Sequence, residues 1–167
     1  MPPLPSLPEL HLHLDGSLRR STLEELAEPL GVVVPAEVGF HAGMGLQEAL
    51  ACFELTLSVL QAPSAVERVA REMCEDATVA GVTTLEIRFA PQLHGKIAPG
   101  LEVPMEEIVD AALAGCAATP LRAGLILCAL YGEPPTLLDR FVEIARDRPG
   151  VVGIDLAGGP SSGHDWR

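Results

Sequence analysis

Two histidines one residue apart, His11 and His13, alternate with Leu10, Leu12 and Leu14. On a β-strand, residues i and i+2 project from the same face. Both imidazoles therefore converge on one side, within reach of a single ion. Imidazole nitrogen suits a borderline cation such as zinc, Zn2+. Asp15 follows two residues on and is placed to project over the same pocket. Gly16 then allows a tight turn off the strand end. Two ordinary half-buried histidines are the alternative reading of the tripeptide. Its context favours the metal, because the strand opens a parallel series whose carboxyl end is where such folds place chemistry. The other titratable candidates are read as structural. Glu86 and Arg88 share a strand face and are expected to form a buried ion pair. Asp155 is expected either to satisfy neighbouring backbone or to do chemistry. His94, in a loop, is expected to be solvated, and His41 and His164 have no assigned role.

The elements that must position these residues follow from periodicity and punctuation. Glu9–Leu14 reads as a strand. Ser21 with Glu24 reads as a capping box opening a helix that carries Leu23, Leu26 and Ala27, broken by Pro29 and closed at Gly31. A glycine-rich loop runs over 32–45. Leu46, Ala49, Leu50, Phe53, Leu57 and Leu60 then recur at helical spacing. A second capping box, Ser64 with Glu67, is expected to start a helix burying Val66, Val69, Ala70, Met73 and Ala77. Residues 82–89 read as a β-branched strand, 91–103 as a loop, and Pro104 as the first turn of a helix with Met105, Ile108, Val109, Ala112 and Cys116. Arg122–Leu130 reads as a buried strand, Thr136 as the start of a helix, and Val151–Ala157 as the last strand. Strands alternating with helices in this way indicate an α/β fold of parallel βα units. Four strands make about half of a TIM (β/α)8 barrel, whose free edges would favour association.

Composition sets the limits. The chain has 167 residues, and 48% of them are apolar, enough for one domain with a core. Residues 1–8 form a proline-rich tail and 9–167 the domain, with no internal linker. The net charge of -12 argues against nucleic-acid polymers and anionic membranes as partners. No stretch reaches the roughly 18 apolar residues of a membrane span, and the N-terminus has no signal-peptide pattern. Cys52, Cys74, Cys116 and Cys128 form no CxxC pair and are expected to be reduced core thiols, which fits a cytoplasmic protein.

The segment Glu9-Leu-His-Leu-His-Leu-Asp-Gly-Ser17 resembles the opening motif of the adenosine deaminase family. Leu85-Glu-Ile-Arg-Phe-Ala-Pro-Gln-Leu-His94 is similar to that family's second-strand segment, and Gly153-Ile-Asp-Leu-Ala-Gly158 to the segment ending its fourth strand. Three segments in order, covering 7–158, are far more specific than any one of them. The resemblance implies a (β/α)8 barrel and a Zn2+ cofactor. It implies hydrolytic deamination of adenosine, adenine, adenosine monophosphate or a modified nucleoside, in which metal-activated water attacks C6 and ammonia leaves. It implies His11 and His13 as metal ligands, His13 and Asp15 as substrate contacts, and Gly158 as a backbone contact to the purine. Leu50 and Phe53 match a helix near the family's pocket mouth, although their spacing alone makes core packing the expectation. Gly159-Pro160 departs from the family, where acidic residues commonly follow that glycine.

The resemblance further implies that a third histidine, an aspartate, a purine-protonating glutamate and another histidine belong to later strands, beyond Arg167. No complete catalytic set is therefore expected in this sequence. Three readings stand: a shortened product of a working deaminase, half of a split enzyme completed by a second chain, or a relic serving as an interaction module. Another metal-dependent hydrolase with an HxH first strand is the rival within the same class.

Overall fold

The computed structural model describes residues 7–158, and His164 and the Gly159-Pro160 departure lie outside them. Four parallel strands form one sheet: β1 (Pro8–His13), β2 (Thr84–Phe89), β5 (Arg122–Leu130) and β6 (Val151–Ala157), in the order β1-β2-β5-β6. Each strand joins the same advancing edge. A doubly wound sheet would reverse direction at a switch point, whereas a monotonic order is the arc of a barrel. The fold is α/β, as expected, and β5 and β6 fall where the residue pattern put them. The strand β1 begins at Pro8, and the Leu7 N–H donates to Thr83 Oγ1 at 3.1 Å. A two-strand ribbon, β3 (Lys96–Ala98) with β4 (Leu101–Glu102), and a 3-10 turn, Pro91–Leu93, occupy the segment expected to be loop.

Helices cover one face of the sheet. Leu85, Ile87 and Phe89 of β2 and Leu125, Leu127 and Ala129 of β5 join one core cluster with α3 (Pro63–Val79), α4 (Met105–Ala117) and α5 (Thr136–Arg146). Val66, Val69, Ala70, Met73 and Ala77 are all buried there, as the α3 periodicity requires. The alternate residues Glu86 and Arg88 face the other side, together with Ile126 and Cys128 of β5.

Neither expected capping box forms. The helix α1 (Arg20–Ala27) starts one residue before Ser21, with Arg19 as N-cap and no side-chain cap hydrogen bond. The helix α3 starts at Pro63, with Ala62 as N-cap, which leaves Ser64 inside the first turn. Proline at a helix start needs no N–H partner, so the break at Pro63 sets the boundary in place of the hydroxyl. The helix α2 (Leu46–Val59) forms at the expected place but buries little: among its described side chains only Val59 is buried.

A charged cluster ties α1 to α3. Glu72 is buried, accepts from Thr22 Oγ1 at 2.6 Å and Arg68 Nε at 2.8 Å, and lies 3.9 Å from Arg19. Burial alone would raise this carboxyl. The Thr22 hydroxyl and the Arg68 guanidinium outweigh that and hold it below its usual range. Replacing Glu72 with alanine removes both bonds and leaves the buried Thr22 hydroxyl without its acceptor. We expect a loss of about 2–3 kcal/mol in urea denaturation. Glu72→Gln, which can still accept from Thr22, should lose visibly less.

Candidate active site

The chemistry-bearing residues gather at the carboxyl end of the sheet. A bulge in β1 starts the arrangement: Glu9 pairs with Leu85 and Leu12 with Ile87, so β1 carries one extra residue between them. The shift brings His13 level with Arg88. The two imidazoles do converge. His11 Nε2 and His13 Nε2 are 3.3 Å apart, with ring centroids separated by 5.3 Å. A tetrahedral zinc with Zn–N distances of about 2.0–2.1 Å holds its ligand nitrogens roughly 3.4 Å apart. The pair therefore fits two corners of such a site. Burial lowers the His13 pKa, the charges of His11 and Arg88 lower it further, and Asp155 partly offsets them. A neutral ring is the form that ligates. No group of three or more His, Cys, Asp or Glu side chains among the described residues is arranged to hold a metal ion.

The expected Glu86–Arg88 ion pair is not what forms. Arg88 Nη1 reaches across the face to Asp155 Oδ2 at 3.0 Å and lies 3.3 Å from His11 Nε2. Asp155 also accepts the Leu156 N–H at 2.8 Å, so it does satisfy neighbouring backbone while holding Arg88. A strand-spacing argument sees partners along one strand. It misses a partner two strands away on a curved sheet.

After His13 the chain turns sharply. Ser17 Oγ donates to the His13 carbonyl at 2.6 Å, and the Gly16 N–H to the same carbonyl at 3.3 Å. A Cβ on Gly16 would come within 3.1 Å of the Phe53 ring, so the glycine lets that ring sit close. Asp15 is only 7% exposed, and its buried Oδ1 has no hydrogen-bond partner. Burial pushes its carboxyl up to about 6, against a small lowering by its own backbone N–H. A buried, under-satisfied carboxylate at the mouth of a strand is costly to keep, and such groups concentrate at functional sites.

A cavity of about 370 Å³ opens beside these groups, walled by His13, Asp15, Phe53, Phe89, Cys128 and Gly158 among others. Leu50 and Leu57 also line it, which corrects the expectation of core packing: Leu50 is 39% exposed. Phe53 packs at 5.6 Å from the His13 ring and 5.5 Å from Phe40. Gly158 has φ +114°, a conformation that disfavours any side chain, and so presents bare backbone to the cavity. Burial raises the Cys128 thiol to about 11, which disfavours its thiolate near neutral pH. A recess of about 680 Å³ between the segment 33–44 and α2 is larger but holds neither His11 nor His13. His94 is buried, not solvated, at 4% exposure. His41 is exposed and lies 3.3 Å from Glu48.

A monotonic arc of parallel strands with helices on one face, and imidazole and carboxylate groups gathered at its carboxyl end, is the architecture of about half of a (β/α)8 barrel. The chain belongs to the adenosine deaminase family, whose model matches residues 6–164. A probable adenosine deaminase of Dictyostelium discoideum is 41% identical over 161 residues, which cover 90% of this chain and 21% of that protein. Among solved structures, the Arabidopsis N6-mAMP deaminase superposes with a TM-score of 0.79 at 30% identity, over 96% of this chain and 52% of that one. An amidohydrolase from Burkholderia ambifaria with bound zinc matches at TM-score 0.70 and 20% identity, covering 93% and 44%. That last likeness shows the fold alone. The chain spans between 21% and 50% of the curated relatives it matches.

Proposed function

We propose that this chain carries the first part of an active site for zinc-dependent hydrolytic deamination of adenosine or a closely related purine. The observation that carries the reading is the 3.3 Å approach of His11 Nε2 and His13 Nε2 beside a cavity bordered by Asp15 and Gly158. His11 and His13 would hold the metal, which when bound supplies Lewis-acid activation of water. Asp15, held inside an apolar wall, offers a carboxyl to a sugar hydroxyl. The bare backbone at Gly158 lets a flat purine lie close. Phe53, Leu57 and Phe89 exclude water from around it.

The site needs further groups. Two histidines are fewer than the three protein ligands of a catalytic zinc, so the remaining ligands and the acid and base would come from the rest of the barrel. That remainder, on the same polypeptide or a second chain, is the partner this reading requires, and it would cover the open edges of β1 and β6. The free thiols of Cys52, Cys74, Cys116 and Cys128 support a cytoplasmic setting. No helix among the described residues is long and apolar enough to cross a membrane.

The test is complementation. Mixing the chain with the separately expressed second half of a homologous deaminase should release ammonia from adenosine. His13→Ala should reduce the rate by more than about 100-fold. Equal rates for the wild-type and alanine mixtures would reject the proposal.

A further inference from the structure

The loop after β2 turns back into the molecule and grips the end of α2. His94 Nδ1 donates to the Leu60 carbonyl at 2.7 Å. Leu60 caps α2, where carbonyls lack partners within the helix. Gln61, the next residue, completes the grip. Its Nε2 donates to the Leu93 carbonyl at 3.1 Å and the Leu57 carbonyl at 2.7 Å. Its Oε1 accepts the Lys96 N–H at 2.9 Å, and its carbonyl accepts the Gly95 N–H at 3.1 Å. Elsewhere α2 is loosely held: among the described side chains of the segment Val59 and Leu60, both at this end, are the buried ones, with Leu55 partly buried against the core. Leu50, Phe53 and Leu57 face the cavity, and Phe53 rests on His13. The helix is thus a lever, fixed at its carboxyl end and carrying one wall of the site.

We infer that His94 and Gln61 form a clasp that positions α2, so that His94 sets where Phe53 and Leu57 stand relative to His13 without touching substrate itself. This rests on the site assignment made above, but the clasp can be tested without any measurement of activity. The His94 Nδ1–H donates in either protonation state; a second proton, on Nε2, is what this setting disfavours. Its Nε2 is buried with no hydrogen-bond partner, and the imidazole makes a T-shaped contact with the Phe89 ring, 5.6 Å between centroids. Burial lowers the His94 pKa, and the Leu60 carbonyl partly restores it; no charged side chain from α2, β2 or the loop adds to either effect. A second proton would therefore sit in an apolar wall with no acceptor. Acid weakens the clasp as pH falls below 6.5, the ordinary value from which the folded ring is depressed.

Hydrogen exchange on the 167-residue chain tests this. His94→Leu should speed exchange of the Leu57–Gln61 amides by at least about tenfold at pH 7.5, with α3 and α4 unchanged. It should also shift the NMR resonances of the His13 ring, which Phe53 overlies. His94→Asn restores a donor in place of Nδ1 and should return both signals toward wild type. Corrected for intrinsic rates, α2 exchange should rise between pH 7 and 5 in the wild type and stay flat in His94→Asn. Gln61→Met should give the same local loosening, and it carries the test should His94→Leu fail to fold. Three results would overturn the clasp: α2 exchange unaltered in these variants, acceleration spread equally over α3 and α4, or an acid response that persists in His94→Asn. Failure of the complementation with a second barrel half would undo the site assignment and leave these exchange results standing.

Discussion

Replacing Asp15 with asparagine is expected to stabilise the chain by about 2–3 kcal/mol at pH 8 and by almost nothing at pH 4. The carboxyl titrates at about 6 in the fold against an ordinary value of 3.8, because burial disfavours its charge. Between those two values the folded chain binds a proton that the unfolded chain releases. Stability therefore falls as pH rises through this window, and the full cost is present above 6. Asparagine has nearly the same shape and no charge, so it removes the cost only where the aspartate is ionised. Chemical denaturation at both pH values reads this directly. A pH-independent difference would place the Asp15 carboxyl in contact with solvent or a cation. A buried carboxyl that disfavours its own charge at neutral pH gives packing nothing that asparagine would not, which is the physical case for its role at the cavity.

Much of this was legible in the residues. The periods of 2.0 and 3.6 locate the parallel strands and most helices because burial on one face imposes them. The HxH spacing forecasts the meeting of His11 and His13, and their ring nitrogens do approach to 3.3 Å although the β1 bulge falls beside His11. What escaped has a common cause. The bulge in β1, the Arg88–Asp155 pair and the burial of His94 all depend on how strands and loops distant in sequence lie together. Local spacing carries no record of that. The capping boxes failed for a different reason: a hydroxyl three residues before a glutamate is a weak signal, and at α3 the adjacent proline overrides it. For α2 the helical period was right, and the inference from period to core was wrong, because an apolar face also suits a wall of a ligand cavity.

The second large effect concerns the metal. His13 is held neutral by burial and by neighbouring positive charge, so it needs little deprotonation to ligate at neutral pH. Arg88 opposes metal entry, since its guanidinium lies 3.3 Å from His11 Nε2. The same nitrogen, Nη1, is already paired with Asp155 at 3.0 Å, so it can give up His11 and keep that partner. Zinc should accordingly bind with loss of the Arg88–His11 approach while the Arg88–Asp155 pair stays. Removing either imidazole should cost more than the roughly 10–100-fold typical of groups that only support a metal ligand.

Equilibrium dialysis against Zn2+ at pH 7.5 of the reduced chain, mixed with the separately expressed second half of a homologous deaminase that supplies the remaining ligands, is the most direct measurement. One ion per wild-type chain, with affinity lower by more than about 100-fold in both His11→Ala and His13→Ala, is the predicted result. Uptake that is unchanged when either ring is removed, or no uptake by the wild type, would contradict it.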